Sequence, residues 1–374
     1  MTSVTDGGKS SVNDINQKLK SGSPASYPFV DLIRFISMMG IVWAHVDMFS
    51  TKNHTFNSLL LSNTYELSFI FYKQVFKFSV LCFFMISGFL LSDRLQAVNS
   101  YSYIKRRFDT TFKPYVLALI IFLGLLMIRK YVFHHSVTPD NTNLSIIKFC
   151  FFDTLFWYLP NYFICLAILL VFKKYISSIF LGIGLLGITL VYTALNVYTV
   201  AYAAPHATAL LGYVFYLWLG AFIKEQNIVE KIWRVKPIIL FAVAFVLYIC
   251  STAEAYWLYI EKYSFQQYFH ILRIFNQLYS VAVFVFLIGV CRSKINFGFF
   301  NPRKETFGIY LYHGFFIYFF VPKALEMIKR YLNVEIYSYD TTIRLLIITF
   351  YWALCYFGTT LLVKVLQKFK LMYL

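Results

Sequence analysis

The sequence is short of charge, and of negative charge above all. Only 14% of its 374 residues are charged, with 17 Asp and Glu against 34 Lys and Arg. Soluble domains usually carry about a quarter charged residues, so composition alone argues against a water-soluble globular fold. Cysteine is scarce as well. Cys82, Cys150, Cys165, Cys250, Cys291 and Cys355 form no CxxC pair and mostly lie in apolar runs. They supply neither a metal cage nor a disulfide framework and read as small buried hydrophobes, so no metal is expected. The motifs of soluble catalysis are missing too: there is no Walker A loop, GxGxxG, GxSxG or HExxH. No internal repeat is visible, which removes sequence support for an inverted-repeat transporter. No polar stretch is long enough to form an appended soluble domain.

What the chain has is apolar and aromatic bulk. Hydrophobic residues make up 59% and aromatics 21%, with 42 Phe and 30 Tyr. Such a balance fits lipid-facing and interfacial positions. A net charge of +17 would also suit nucleic acid. The basic residues, however, fall in short clusters between apolar runs, as they do in cytoplasmic loops that touch anionic lipid. Membrane lipid, not nucleic acid, is the expected partner.

Residues 1–27 are polar, rich in Ser, Asn, Gly and Lys, and hold no apolar core of a signal peptide. They are expected to form a disordered cytoplasmic tail, with residues 28–374 as one transmembrane domain. A bilayer core needs about 20 apolar residues per helix. Apolar runs at roughly 29–49, 74–92, 114–132, 154–172, 176–195, 208–223, 237–253, 274–291, 306–322 and 341–363 predict an all-α polytopic bundle of about ten transmembrane helices. With the N-terminus inside, the inner segments hold most of the Lys and Arg, including Arg94, Lys105, Arg106, Arg107, Lys224, Arg292 and Arg303. Both termini are therefore placed in the cytoplasm. Pro114 and Pro237 stand where apolar runs begin, and Pro322 is read as a stop or kink near the end of one.

The ionisable residues inside spans carry the functional signal, because a charge there is costly and usually faces a cavity. The first span contains Asp31, Arg34 and His45. Eleven residues make three helical turns plus about 20°, so Arg34 and His45 project from one face, roughly 16 Å apart. Asp31 lies one turn before Arg34. A guanidinium near the cytoplasm suits the phosphates of a thioester donor. An imidazole deeper in the membrane suits a general base for a hydroxyl acceptor, or a nucleophile that carries the acyl group. The plain alternative is an Asp31–Arg34 pair at the helix start with His45 hydrogen-bonded between helices.

Other features read both ways. Ser87-Gly88 in the second span permits close approach of a ligand, or ordinary helix packing. Lys105-Arg106-Arg107 in the next inner loop could hold phosphates, or serve as topogenic charge. Trp157-Tyr158 reads as an interfacial aromatic anchor. Glu254 reads mainly as an interfacial carboxylate. His54, His134, His135, His206 and His270 are expected in solvated outer loops or at their edges, whereas His313 stands inside the ninth span.

These residues resemble the acyltransferase-3 family of bacterial membrane O-acyltransferases. The Arg34…His45 spacing is similar to its Arg-x10-His signature, and Phe83-Phe84-Met85-Ile86-Ser87-Gly88-Phe89-Leu90-Leu91 to its FFxxSGFLL segment. Tyr103-Ile104-Lys105-Arg106-Arg107-Phe108 through Pro114-Tyr115 resembles its basic loop, and Trp157-Tyr158-Leu159 its aromatic motif. Phe307-Gly308-Ile309-Tyr310-Leu311-Tyr312-His313 resembles its SxGIYLxH span. Two departures stand out: Asp109-Thr110-Thr111 occupies a stretch that often holds a further basic residue, and Thr306 replaces a common Ser.

The resemblance implies a membrane O-acetyltransferase that moves an acetyl group from cytoplasmic acetyl-CoA to a hydroxyl of an O-antigen, exopolysaccharide or similar exported glycan. The bacterial inner membrane is the implied location. His45, Arg34 and Asp31 become the expected catalytic group. Arg34, Lys105, Arg106, Arg107, Ser87 and Gly88 are expected against acetyl-CoA, and His313, Tyr310, Trp157 and Tyr158 around the substrate cavity. A polytopic transporter or flippase of a glycan or small organic acid is the rival reading; it would move substrate without consuming thioester.

Overall fold

A computed structural model of the chain describes residues 27–46, 59–95, 100–199, 209–332 and 341–369. The tail expected to be disordered lies outside these residues, save Tyr27. The structure is 83% helical, with no strand among the described residues.

Helix α1 (Pro28–His45) starts with a proline where the missing N–H costs nothing, and carries Asp31 in its first turn, where the helix dipole favours a carboxylate. α2 (Leu59–Gln74) and α3 (Ser79–Leu95) meet at a tight turn over residues 75–78 and together supply the apolar stretch Asn63–Ser92. α2 was not expected as a helix, because Asn63, Glu66, Lys73 and Gln74 interrupt its apolar pattern. α4 (Ser100–Tyr131) runs straight through Pro114, which is inside the helix and not at its start. The basic segment before Pro114 is already helical, so the start of the apolar run does not mark the start of the helix.

α5 (Asn143–Lys148) passes through a π-helical turn, Phe149–Asp153, and a 3-10 turn, Leu155–Trp157, into α6 (Tyr158–Val171). The two arms are bent by 63°. α7 (Ile179–Thr193) follows, then α8 (Val214–Glu225), α9 (Ile228–Arg234), α10 (Pro237–Ile260), the short α11 (Phe265–Tyr268) and α12 (Ile274–Val290). Pro237 opens α10, as its sequence position predicts. α13 (Pro302–Phe315) continues through a π-helical stretch, Phe316–Phe320, into α14 (Val321–Leu332), and α15 (Thr341–Lys368) completes the described chain. Pro322 neither stops nor ends its segment. It cannot donate to the carbonyl of Tyr318, the helix widens to a π-turn there, and Arg129 Nη1 donates to that carbonyl at 3.5 Å.

Each of the ten expected segments contains a helix. Among the described residues six helical stretches are long and apolar enough to cross a bilayer, or seven if the bent pair counts as one span. Of the other three expected spans, α13 has 14 residues before its π-helical stretch, and α8 and α12 are short, at 12 and 17. At 1.5 Å per residue neither covers a core of about 30 Å alone.

The outer surface is apolar. Phe180, Ile183, Ile238 and Val246 are exposed by 81, 61, 67 and 59%. Each would cost about 1.5–3 kcal/mol in water, so these faces belong against lipid, and the chain is an integral membrane protein.

Within the bundle α1 packs between α3 and α13, with α12 and α15 also against it. α3 and α8 touch backbone to backbone. A Cβ on Gly88 would lie 1.8 Å from the carbonyl oxygen of Leu217, and one on Gly220 would lie 1.8 Å from that of Met85. Glycine at both positions permits the crossing.

Candidate active site

Helix starts bring the first charged group together. Asn301 caps α13 by accepting from the Lys304 N–H at 3.3 Å, and its own N–H donates to Glu305 Oε2 at 2.9 Å. This fixes the first turn of α13 and presents Arg303 to α1. Arg303 Nε donates to both oxygens of Asp31, at 3.0 and 2.9 Å, and its Nη2 stands 2.8 Å from Oδ2. Arg34 Nη1 lies 3.7 Å from the same carboxylate. Asp31 is thus shared by two guanidinium groups, and its closer partner is Arg303. The Asp31–Arg34 pair expected at the helix start is present, and the structure adds to it a contact 272 residues distant that no local spacing reveals.

Both arginines line a cavity of about 280 Å³. From α1 come Arg34, Met38 and Ile41, spaced as one helix face. Ser87 enters from α3, Thr111 from α4, Tyr158 and Tyr162 from α6, and Arg303, Thr306 and Tyr310 from α13. The spacing of 303, 306, 310 and 313 is also that of one helical face, so a sequence signal for Arg303 exists: it shares the side of α13 that carries Tyr310 and His313. The ring of Tyr310 lies 5.7 Å from that of Tyr158, and its hydroxyl donates to the Leu155 carbonyl at 3.0 Å.

One turn beyond the cavity residues, the two helices bring two histidines together. His45 follows Ile41 by four residues and His313 follows Tyr310 by three. Their ring centroids are 5.3 Å apart, and Tyr310 is 6.4 Å from His313. Neither histidine is among the residues lining this cavity. Arg34 and His45 belong to one face of α1 by their spacing, but of the two only Arg34 lines this cavity, whose lining reaches Ile41 and Tyr310.

The tautomer of His313 is dictated by its partners. Nδ1 is 2.9 Å from the carbonyl oxygens of Ile309 and of Tyr310. Carbonyls only accept, so Nδ1 carries the proton and Nε2 presents a lone pair. His313 is fully buried, and Nε2 has no hydrogen-bond partner among the described residues.

Residues 27–366 match the family model of the acyltransferase domain. The chain belongs to the acyltransferase-3 family. The match spans nearly the whole chain and agrees with the resemblance read from its motifs. Comparison with curated proteins and with solved structures gives no match. A membrane acyltransferase is the activity this membership supports.

The other candidate residues of this acyltransferase are scattered more widely than the sequence suggested. Ser87 lines the cavity, but Gly88, expected beside the donor, is buried in the α3–α8 crossing, where its missing side chain admits Leu217. Tyr158 lines the cavity, while Trp157 turns away and packs 5.7 Å from Tyr213. Lys105 is exposed on α4, and the side chains of Arg106 and Arg107 lie outside the described residues. His134 and His135 are exposed, as expected, and His54 and His206 also fall outside the described residues.

Two outer-loop expectations are overturned. His270, read as solvated, is 1% exposed. Glu254, read as an interfacial carboxylate, pairs with Arg273, which is wholly buried. Arg273 Nη1 also donates to the Ser251 carbonyl at 2.7 Å, and Nη2 to Gln74 Oε1 at 2.7 Å. Tyr198 donates to Glu254 from another segment. The cluster joins α2, α10 and the chain leading into α12. Its arginine is invisible to hydropathy because it stands at the edge of an apolar run.

Proposed function

We propose that this acyltransferase is an O-acetyltransferase that takes acetyl-CoA from the cytoplasm and acetylates a hydroxyl of an exported or cell-surface glycan. In this reading the helices form about ten membrane crossings with both termini cytoplasmic, and the protein resides in the inner membrane of a bacterium. The observation that carries the reading is the stacking of two guanidinium groups, a cavity and a histidine pair along the α1–α13 seam.

The chemistry follows that order. Arg34 and Arg303 offer forked, charge-assisted donors for the donor's phosphates, with Lys105, Arg106 and Arg107 adding basic charge on the same side of the membrane. The acylated arm of the donor occupies the cavity beside Ser87, Tyr158 and Tyr310, and its thioester passes the Ile41–Tyr310 level to reach the histidines. Removal from water strengthens each of these interactions. His45 takes the proton of the sugar hydroxyl as the oxygen attacks the thioester carbon. The C–S bond then breaks, and the proton returns to the leaving thiolate, giving acetyl ester and free CoA. General base catalysis of this kind contributes about 10²–10⁴-fold to the rate.

The test is acetyl transfer in proteoliposomes supplied with radiolabelled acetyl-CoA on the face bearing Arg34, together with the mass of surface glycan from cells with and without the gene. Arg34→Ala and His45→Ala are expected to insert normally and to lose acetylation. Wild-type acetyl content in either variant would refute the assignment, and glycan movement without thiol release would favour a transporter.

A further inference from the structure

Beyond the base assigned to His45, the seam contains a second imidazole whose geometry calls for a partner. Nδ1 of His313 is engaged by its own helix, with the Ile309 and Tyr310 carbonyls each at 2.9 Å. The ring is therefore held in one tautomer by backbone that cannot rotate away. Its Nε2 lone pair is sealed from solvent and has no hydrogen-bond partner among the described residues. A buried acceptor left unmade costs about 1–3 kcal/mol, so its retention calls for an explanation. The ring facing it is that of His45, with centroids 5.3 Å apart and planes inclined by 50°. Nitrogens on the facing edges of two imidazoles at that separation come within about 3 Å when the rings turn toward each other, which is hydrogen-bond range.

We infer that His313 is the positioning residue for His45: its Nε2 accepts one ring N–H of His45 and so directs the other ring nitrogen of His45, lone pair outward, at the acceptor hydroxyl. The arrangement does with an imidazole what a carboxylate does behind the histidine of a serine-hydrolase triad. When His45 takes the hydroxyl proton it becomes an imidazolium, and the His313 lone pair stabilises that cation without moving a second proton. The hydroxyl oxygen bonds to the acyl carbon, the C–S bond breaks, and His45 gives its proton to the thiolate. His313 starts and ends neutral. Tyr310 also stands beside the pair, 6.4 Å from His313.

The inference rests on the O-acetyltransferase reading, and two measurements separate their fates. In the first, thiol release and acetyl transfer are followed in proteoliposomes for wild type, His313→Phe and His313→Gln. Phe fills the space and cannot accept; the Gln amide oxygen can stand near the Nε2 position. His313→Phe is expected to lower kcat by about 100-fold with the KM for acetyl-CoA unchanged, and His313→Gln to recover at least tenfold of that loss. Equal activity in wild type and His313→Phe, or no difference between Phe and Gln, would overturn the positioning role while leaving the enzyme reading intact. No thiol release from wild type would defeat the enzyme reading. The second measurement does not need turnover: ¹⁵N-histidine spectra of the full chain in lipid. One buried histidine should show a protonated Nδ1 and a hydrogen-bonded, unprotonated Nε2, lost in His313→Gln. That Nε2 signal should move on His45→Ala, and an Nε2 signal indifferent to His45 would refute the pairing.

Discussion

Arg303→Ala tests the two-guanidinium mouth most directly. Its side chain is 55% exposed, and the Asp31 carboxylate it grips is 18% exposed, so the ion pair is screened and its loss should cost stability no more than about 1 kcal/mol. Function should respond more. The variant removes one forked donor from the cavity mouth and leaves Asp31 to Arg34 alone, at 3.7 Å, so a half-neutralised carboxylate faces an incoming polyanion. One lost charge-assisted contact is worth about 1.5–3 kcal/mol, which converts to a rise in KM for acetyl-CoA of about 10- to 150-fold. The contact is made equally in ground and transition states, so kcat should hold. Arg303→Lys keeps the charge without the fork and should fall between. The assay is initial thiol release against acetyl-CoA concentration at two ionic strengths. Wild-type KM should rise with salt, and that of Arg303→Ala should rise less. An unchanged KM, or a fall in kcat at constant KM, would refute the placement of donor phosphates at this mouth.

The remaining expectations concern packing and charge. Gly88→Ala forces a Cβ to within 1.8 Å of the Leu217 carbonyl unless α3 and α8 separate. It should destabilise by about 1–3 kcal/mol, read as an earlier thermal transition in detergent, and an unshifted transition would show that the crossing is looser than described. Glu254→Ala strands the fully buried Arg273 without its counter-charge. The loss should be about 3–5 kcal/mol, with the double variant Glu254→Ala/Arg273→Met closer to wild type; a double variant as unstable as the single would sink that account. Ile41→Trp narrows the level between the cavity and the histidines and should cut acetyl transfer sharply with little change in KM, whereas full transfer would mean that the thioester takes another route.

The sequence by itself determined the class of molecule and one face of one helix. Shortage of charge, long apolar runs and basic clusters are additive properties of neighbouring residues, so they survive without a fold. The 3.6-residue period put Arg34 and His45 on one side of α1, because periodicity is local geometry; on α13 the same period runs through 303, 306, 310 and 313, but it took the contact with Asp31 to mark Arg303. Only the tertiary structure decided what those faces meet. It gave Asp31 to Arg303, set His313 beside His45, buried Gly88 in a crossing and enclosed Arg273 with Glu254 and Gln74. Among the described residues it also shows six or seven helical stretches long enough to span, where about ten transmembrane helices were expected. Each of these depends on which helices become neighbours across hundreds of residues. Hydropathy ranks a residue's liking for lipid or water, but it does not say which opposite charge or lone pair will stand across the seam.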